Sequence, residues 1–517
     1  MLTDLTNRAT REGTERYVAR LGQKTIPSNG YVRLGRTGLM TSRLGFGTYR
    51  VAAEMPEHRE ALDMAFRAGC NLVDTSTNYM DGSSERCISD ALEELIQEGF
   101  LKRDEVIIVS KVGYVQGDNL AVAKEREEIG TPFPEMVKYT EECWHCIHPE
   151  FIEDQLTRSL ERLKLKHIDV FLLHNPEYFF SSEAKTRSNK ALADRRVEFY
   201  QRVRGAFEHL EQEVERGRIG FYGVSSNTFG EDTDDPEMTS ITRMWEIARE
   251  VRPNGHHFSV IQLPLNLFET GPVVTKNNGP EDGLTAVQFA KSEDLGLLTN
   301  RPLNAFFQKQ LIRLADFPST QTTDRPTDWI KPLTDLEEQF AKKFDGFIRA
   351  HFPNVQSSQI FRWSNELKPG NLVNVDAAQW STMESDVVRP HIENVFRQLD
   401  EAFEKVGNND WPAWRNEYSN VMEKILGALR CHAFRNSQRQ SDAITTVVGP
   451  FIPVELEKES LSRKVLAILM QTPGVHCVLN GMRTRRYVED SMGALRFANA
   501  QINLGIYGEF NHATTRI

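Results

Sequence analysis

Eight short apolar runs, each followed by a stretch with helical spacing of apolar positions, restrict this chain more than any other feature. The runs are LGFG (44–47), NLVD (71–74), VIIVSK (106–111), IDVFLLH (168–174), GFYGVS (220–225), SVIQL (259–263), LGLLTN (295–300) and VHCVLN (475–480). Several are apolar at consecutive positions, as expected of parallel strands covered on both faces. Helical spacing follows at 57–69, 84–98, 149–165, 195–216, 237–250, 283–293 and 456–471. Strand and helix in alternation predict an α/β fold with a parallel sheet, and eight repeats predict closure into a (β/α)₈ barrel. An open, doubly wound sheet is the alternative.

A bare barrel of this kind needs about 250 residues, and the chain has 517. The surplus falls in two places, a long loop at about 112–148 and an insertion at 305–455 between the seventh and eighth strands. Apolar positions at helical period in 333–350, 385–405 and 409–438 predict a mostly helical insertion, entered through an irregular link at 317–332. Ahead of the first strand, Gly35 and Gly38 suit a hairpin turn that could plug the barrel floor. The expected organisation is an extension at 1–30, barrel strands one to seven in 31–304, the insertion, the last strand and helix in 456–500, and a tail at 501–517.

Composition narrows the function. A hydrophobic fraction of 39% and a charged fraction of 26% allow a large core without metals or disulfides. The net charge of -11 leaves no basic footprint for nucleic acid. No run approaches the roughly 18 apolar residues that span a bilayer, so no membrane role is expected. The start of the chain lacks the apolar segment of a secretory signal. Six cysteines are too few for a disulfide framework, which suits a reducing compartment and predicts a cytoplasmic protein. Cys143 and Cys146, in CWHC, have the spacing of a metal or redox pair, with His145 and His148 nearby. No second pair accompanies them, and no metal is expected.

Four polar residues fall at the C-terminal ends of successive predicted strands, where barrel enzymes keep their active sites. Asp74 closes the second strand, Tyr79 follows five residues later, Lys111 closes the third and His174 the fourth. Singly, each has a bland explanation: a cap, an exposed loop aromatic, a snorkelling lysine, a satisfied strand-end histidine. Together they suit reduction of a carbonyl, whose oxygen gains negative charge and needs a proton. A phenol is a poor acid at neutral pH unless a nearby ammonium favours its anion. Lys111 can serve that need, Asp74 can hold Lys111 charged, and His174 can orient the carbonyl by donating a hydrogen bond.

The segments LGFGTYRV, NLVDTSTNYMDGSSE, VIIVSKVG, LTRSLERLKLKHIDVFLLHNPE, RGRIGFYGVSSN, VIQLPLN and PGVHCVLNGMRTRRYVEDSMGA resemble the aldo-keto reductase superfamily, in order, over about 31–305 and 456–500. The resemblance implies the (β/α)₈ barrel and places the catalytic Asp, Tyr, Lys and His of that family on Asp74, Tyr79, Lys111 and His174. It also implies NADP(H) held across the barrel mouth without a Rossmann domain. Thr48 and Tyr49 match contacts near the nicotinamide ribose. Ser225 with Ser226 or Asn227, and Gln262, match the carboxamide site. Gly481, Met482 and Arg483 match the phosphate site at a helix start, with Arg485 and Arg486 as weaker candidates. Tyr487, Asp490 and Ser491 fall at adenine-side positions, although Tyr487 and Ser491 stand where many relatives carry Gln and Asn.

Asn300 occupies the place where many relatives stack a tyrosine on the nicotinamide. The expected activity is NADPH-dependent reduction of an aldehyde or ketone to an alcohol, reversibly, with Tyr79 as proton donor and a small carbonyl compound as substrate. A cofactor-sensing protein with slow or no turnover is the alternative. The 305–455 insertion is a candidate surface for a partner or a second copy.

Overall fold

The computed structural model describes residues 8–21, 26–181, 191–308, 310–317 and 325–512. Eight parallel strands close into a barrel: β1 (Leu44–Gly47), β2 (Leu72–Asp74), β3 (Ile107–Val112), β4 (Ile168–His174), β5 (Ile219–Ser225), β6 (Phe258–Pro264), β7 (Gly296–Asn300) and β8 (Cys477–Gly481). Each strand pairs with its successor, and β8 closes the ring on β1 through Gly481 opposite Gly47. All eight expected strands are present and the open-sheet alternative falls.

The alternation of side chains along each strand decides what fills the ring. Leu72 of β2, Ile107 and Val109 of β3, Val170 and Leu172 of β4, Val260 of β6, Leu298 of β7 and Cys477 and Leu479 of β8 form one apolar cluster. Two residues further along the same inward phase stand Asp74, Lys111, His174, Gln262 and Asn300. Strand parity alone therefore stacks a polar layer on the apolar one. In β1 the inward position is Gly45, where a Cβ would lie 2.8 Å from Cys477 Sγ and from Leu479 Cδ2. Only glycine leaves those side chains room.

The floor of the barrel is closed by an antiparallel hairpin, Tyr31–Arg33 with Met40–Ser42. Leu34 and Leu39, on either side of its turn, join the apolar cluster from below. Gly38 ends that turn at φ 74°, a left-handed value that costs a residue with Cβ about 1–2 kcal/mol. Around the strands run Pro56–Arg67, Ser83–Gln97, Pro149–Leu163, Leu192–Glu215, Ile241–Val251, Ala286–Ser292, Leu461–Gln471 and Arg485–Ala494. The helix expected from 237 begins only at Ile241, because the Ser240 hydroxyl accepts from Arg243 N at 3.2 Å and caps it there.

The loop of about 112–148 has structure of its own: the helix Gly117–Glu128 and a small sheet of Tyr114–Val115, Val137–Lys138 and Trp144–His145. The expected insertion opens with a hairpin, Asn304–Phe307 with Gln310–Arg313, in which Ala305 and Ile312 are buried while Phe306 and Leu311 are exposed. That period of two is a strand signal.

The chain divides into two compact units, one running up to Leu314 and resuming at Val448, the other from Ala315 to Val447. The second is helical, with Pro326–Lys343, Asp345–His351 and Arg389–Glu404 leading to Asp410–Val448. Its core gathers Leu333, Phe340, Trp380, Phe403, Trp411, Trp414 and Tyr418. The last three stack along one helix face at i, i+3 and i+7, with 5.5 Å between the first two ring centroids and 4.9 Å between the last two. Of the irregular link expected at 317–332, residues 318–324 lie outside the described residues and 326–332 are helix. Pro326 suits a first helical turn, and Arg325 N donates to Asp328 Oδ2 at 2.9 Å to cap it. Among the described residues, no helix is long and apolar enough to cross a membrane.

Candidate active site

At the C-terminal end of the barrel Lys111 is fully buried, and its Nζ has three neighbours: Asp74 Oδ2 at 2.7 Å, the Thr75 carbonyl at 2.8 Å and Tyr79 Oη at 3.3 Å. Three acceptors account for all three protons of an ammonium. Burial pulls Lys111 below the usual ammonium range and pushes Asp74 above the usual carboxylate range, and each opposes the other's displacement. Asp74 Oδ1 accepts from Gln262 Nε2 at 2.8 Å, Gln262 Oε1 accepts from the Ser225 hydroxyl at 2.9 Å, and Asn300 Nδ2 reaches the same oxygen at 3.2 Å. A continuous chain of side chains thus runs across five strand ends.

Tyr79 sits in a short turn after β2 with its ring edge-on to Tyr49 and to His174, centroids 5.3 and 5.9 Å away. Burial drives its phenol well above the ordinary tyrosine range, and the Asp74 charge adds to that. The expected lowering by Lys111 is overturned in this geometry. Desolvation of a phenolate outweighs one ammonium whose protons are shared with two better acceptors. Tyr79 is therefore proton-loaded at rest. His174 is held well below the ordinary imidazole range by burial and by Lys111, so it is neutral.

The remaining candidates separate into two groups. Tyr49 is 64% exposed, Gly481 and Tyr487 are exposed, and Asn227 and Arg483 are half-buried. The others spend their polar groups inside the protein. The Thr48 hydroxyl donates to the Asp74 carbonyl at 2.9 Å, and Ser226 Oγ lies 2.8 Å from Thr239 Oγ1. Asp490 accepts from Ser460 at 2.9 Å and pairs with Arg463, while Ser491 accepts from Asn480 Nδ2 at 2.7 Å. Asp490 is half-buried and faces the start of helix Leu461–Gln471, Ser491 is buried against Asn480 of β8, and Met482 is buried outright. Arg485 pairs with Glu489 in the exposed first turn of that helix.

With this geometry in place, comparison with known proteins decides the family. The model of the aldo/keto reductase family matches residues 43–338, more than half of the chain. The chain belongs to the aldo/keto reductase family. Among curated relatives it is similar to aldose reductase B of Dictyostelium discoideum, 25% identical over 187 residues, covering 35% of this chain and 49% of that protein. It is also similar to the NADH-specific methylglyoxal reductase of Escherichia coli, 28% identical over 166 residues, covering 30% and 45%. The chain spans about half the length of these curated relatives. Among solved structures, the glycerol dehydrogenase of Gluconobacter oxydans aligns over 95% of this chain and 96% of its own at 15% identity, with a TM-score of 0.45.

Several residues of the site escaped the sequence. Tyr114, His145 and Tyr178 build an aromatic wall beside His174, with Tyr114 4.7 Å from His174 between centroids and His145 stacked on Tyr178 at 5.7 Å. The position of His145, between Cys143 and Cys146, invited a metal reading. Its Nε2 instead meets the His174 carbonyl at 2.7 Å, and Cys146 donates to the Pro134 carbonyl at 3.4 Å. Glu177, three residues past His174, is buried with Oε1 accepting from Asn227 N at 2.9 Å and Oε2 without a partner among the described residues, and burial pushes it up to about 7.

Arg313, on the hairpin after β7, bonds Tyr487 and lies within electrostatic reach of Arg483 and Arg50. Among the described residues none of these three arginines pairs with a carboxylate. Elsewhere, Glu153, His209 and Glu213 bring ligand-type atoms within 4.8 Å of one another. Arg216 and Arg218 bridge both carboxylates, which makes the group an ion-pair network.

Proposed function

We propose that the protein reduces an aldehyde or ketone to an alcohol, reversibly, with NADPH as the hydride source. The observation that carries this reading is the ammonium of Lys111 with all its protons committed, one of them to the phenol oxygen of Tyr79. Tyr79 Oη accepts from Lys111, so its own proton is free to pass to a substrate oxygen, and the phenolate left behind faces an ammonium already in place. Asp74 keeps that ammonium charged in a buried site. His174, neutral, presents Nε2 to the substrate, with the Tyr114 ring edge-on beside it and Tyr178 packed behind Tyr114.

A nicotinamide cofactor, when bound, supplies the hydride, and the residues present fit one. Asn300 Oδ1 is buried at the end of β7 with no hydrogen-bond partner among the described residues, beside Gln262 and Ser225, where a carboxamide can be recognised. Thr48, Tyr49, Asn227, Gly481, Met482, Tyr487, Ser226, Asp490 and Ser491 form or support the rest of that mouth. NADPH is favoured over NADH by Arg50, Arg313 and Arg483, a group of positive charges with no carboxylate partner among the described residues and suited to an additional phosphate. The substrate is a small carbonyl compound, and a net charge of -11 weighs against nucleic acid as a partner. Cysteines that all remain free favour the cytoplasm.

Steady-state NADPH oxidation with a panel of aldehydes and ketones tests the reading. Turnover in the natural chain that disappears in Tyr79→Phe supports it. Tight NADPH binding with no turnover on any carbonyl replaces it with cofactor sensing.

A further inference from the structure

Tyr79 is carried by a turn that the backbone would not choose for itself. Met80 and Asp81 stand at φ 50° with ψ 42° and 41°, and Gly82 follows at φ 79°. Three successive left-handed residues, two of them with a Cβ, persist only where the surroundings over-determine them. Ahead of the turn, Thr77 N donates to the Lys111 carbonyl at 3.1 Å, and the Asn78 side chain bonds Ser76 Oγ at 2.7 Å and the Gln116 amide at 2.9 Å. Behind it, the first three residues of the helix Ser83–Gln97 are each tied down. Ser83 Oγ accepts from Ala53 N at 2.8 Å, and Ser84 Oγ lies 2.6 Å from Thr48 Oγ1 and 2.9 Å from Thr75 Oγ1.

The third is Glu85, a fully buried carboxyl that takes no part in the proton transfer. Its Oε1 accepts from the Ser110 hydroxyl at 2.9 Å and the Ser159 hydroxyl at 2.5 Å, and its Oε2 pairs with Arg162 Nε at 2.6 Å. Two of these contacts bear on the pair of Tyr79 and Lys111. Ser110 is the residue before Lys111 on β3, so its side chain lies on the outer face of the strand that sends the amine inward. Arg162 lies against the turn: a Cβ on Gly82 would fall 2.5 Å from Arg162 Cδ and 2.6 Å from its Nε. One carboxylate thus joins the strand of Lys111 to the arginine that braces the turn of Tyr79. A pair serving only to join two helices needs neither the hydroxyl beside Lys111 nor the contact under Gly82.

We propose, on the reductase reading above, that Glu85 and Arg162 are positioning residues, which hold the left-handed turn of Tyr79 against β3 and so set the 3.3 Å separation of Tyr79 Oη from Lys111 Nζ. Both act through the phenol. Their loss therefore lowers the rate of the chemical step and leaves binding alone, since a displacement of about 1 Å at a reacting group can cost about 10²-fold.

The test uses the full chain, free of cofactor and labelled with ¹³C at Cζ of tyrosine, with the Tyr79 signal assigned by its loss in Tyr79→Phe. That signal is expected to move in Glu85→Ala, which cuts all three contacts, and to return in Glu85→Gln, whose amide can face Arg162 with its oxygen and the two serines with its nitrogen. Ser110→Ala leaves the ion pair intact and so serves where Glu85→Ala does not fold; it is expected to move the signal in the same direction by less. Arg103→Met, which breaks a buried ion pair remote from Tyr79, is the control and is expected to leave the signal in place. A Tyr79 signal that ignores the Glu85 and Ser110 variants, or that Arg103→Met moves as far, would overturn the proposal. Steady-state kinetics with NADPH supply the second readout. In folded Glu85→Ala, kcat is expected to fall about 10²-fold with the carbonyl KM and the Kd for NADPH unchanged, and an unchanged kcat would overturn the proposal equally. If the natural chain reduces no carbonyl, the reductase reading fails, and the tyrosine spectra still decide whether Glu85 and Arg162 place the phenol.

Discussion

Two buried ion pairs sit at opposite ends of this barrel, and they differ in what else their atoms do. At the floor Arg103 meets Asp169 at 2.8 Å, both nearly inaccessible. The other valences of that pair go to backbone: Asp169 accepts from Ala9 N at 2.7 Å and Ile108 N at 2.8 Å, and Arg103 donates to the Val106 carbonyl at 2.7 Å. At the mouth Lys111 meets Asp74 at 2.7 Å, and the remaining valences go chiefly to side chains, Tyr79 and Gln262. A buried pair whose other bonds end on the main chain tethers segments distant in sequence. One whose other bonds end on side chains can redistribute protons. Burial and distance alone do not tell the two apart.

The contrast can be broken by experiment. Tyr79→Phe is expected to lower kcat by about 10³-fold or more while thermal melting stays where it was, and a loss smaller than 10-fold would remove the mouth pair from the chemistry. Arg103→Met should do the opposite. It leaves Asp169 as an uncompensated buried charge, at a cost of about 3–5 kcal/mol in urea unfolding, with kcat of the folded fraction unchanged. A fall in kcat equal to that of Tyr79→Phe would erase the distinction.

Glu177 sharpens the comparison because it is a buried carboxyl that pairs with no cation among the described residues. Its folded pKa is raised from 4.5 to about 7, so the folded state holds the proton more tightly than the unfolded chain does. The burden it places on stability is absent below pH 4.5, grows through the window up to about 7 and is complete above it. Glu177→Gln is therefore expected to stabilise the protein by up to about 3 kcal/mol at pH 8 and by nothing at pH 4. Equal unfolding midpoints at pH 8 would show that Glu177 has a partner in solution. The smallest effect belongs to the group of Arg50, Arg313 and Arg483. Arg313→Ala is expected to weaken NADPH binding about 5–10-fold and NADH binding hardly at all, as read by fluorescence titration.

Much of the site was legible because it obeys the same period of two as the core. Once VIIVSK reads as a strand with Ile107 and Val109 inward, Lys111 must be inward too, and Asp74 and His174 follow from their own strands. Residues beyond the strand ends were not legible in that way. Ser76, Asn78 and Gln116 meet because two loops converge, and no local pattern announces that. Motif spacing put Asp490 and Ser491 at adenine-side positions, but it gave no sign that Asp490 would bond Ser460 and Arg463 or Ser491 would bond Asn480. The phenol's displacement depends on burial, which motif spacing does not measure. The hairpin at 304–313 was hidden inside a segment whose later periodicity is strongly helical.

The shared phase of Val109 and Lys111 ties integrity to activity through counting. Inserting a single residue into β3 between Val109 and Ser110 would send the amine to the outer face and bring Ser110 into the ring. An indel in this strand could not retune the chemistry while sparing the scaffold, so loops and point substitutions are the routes by which such a barrel can diversify.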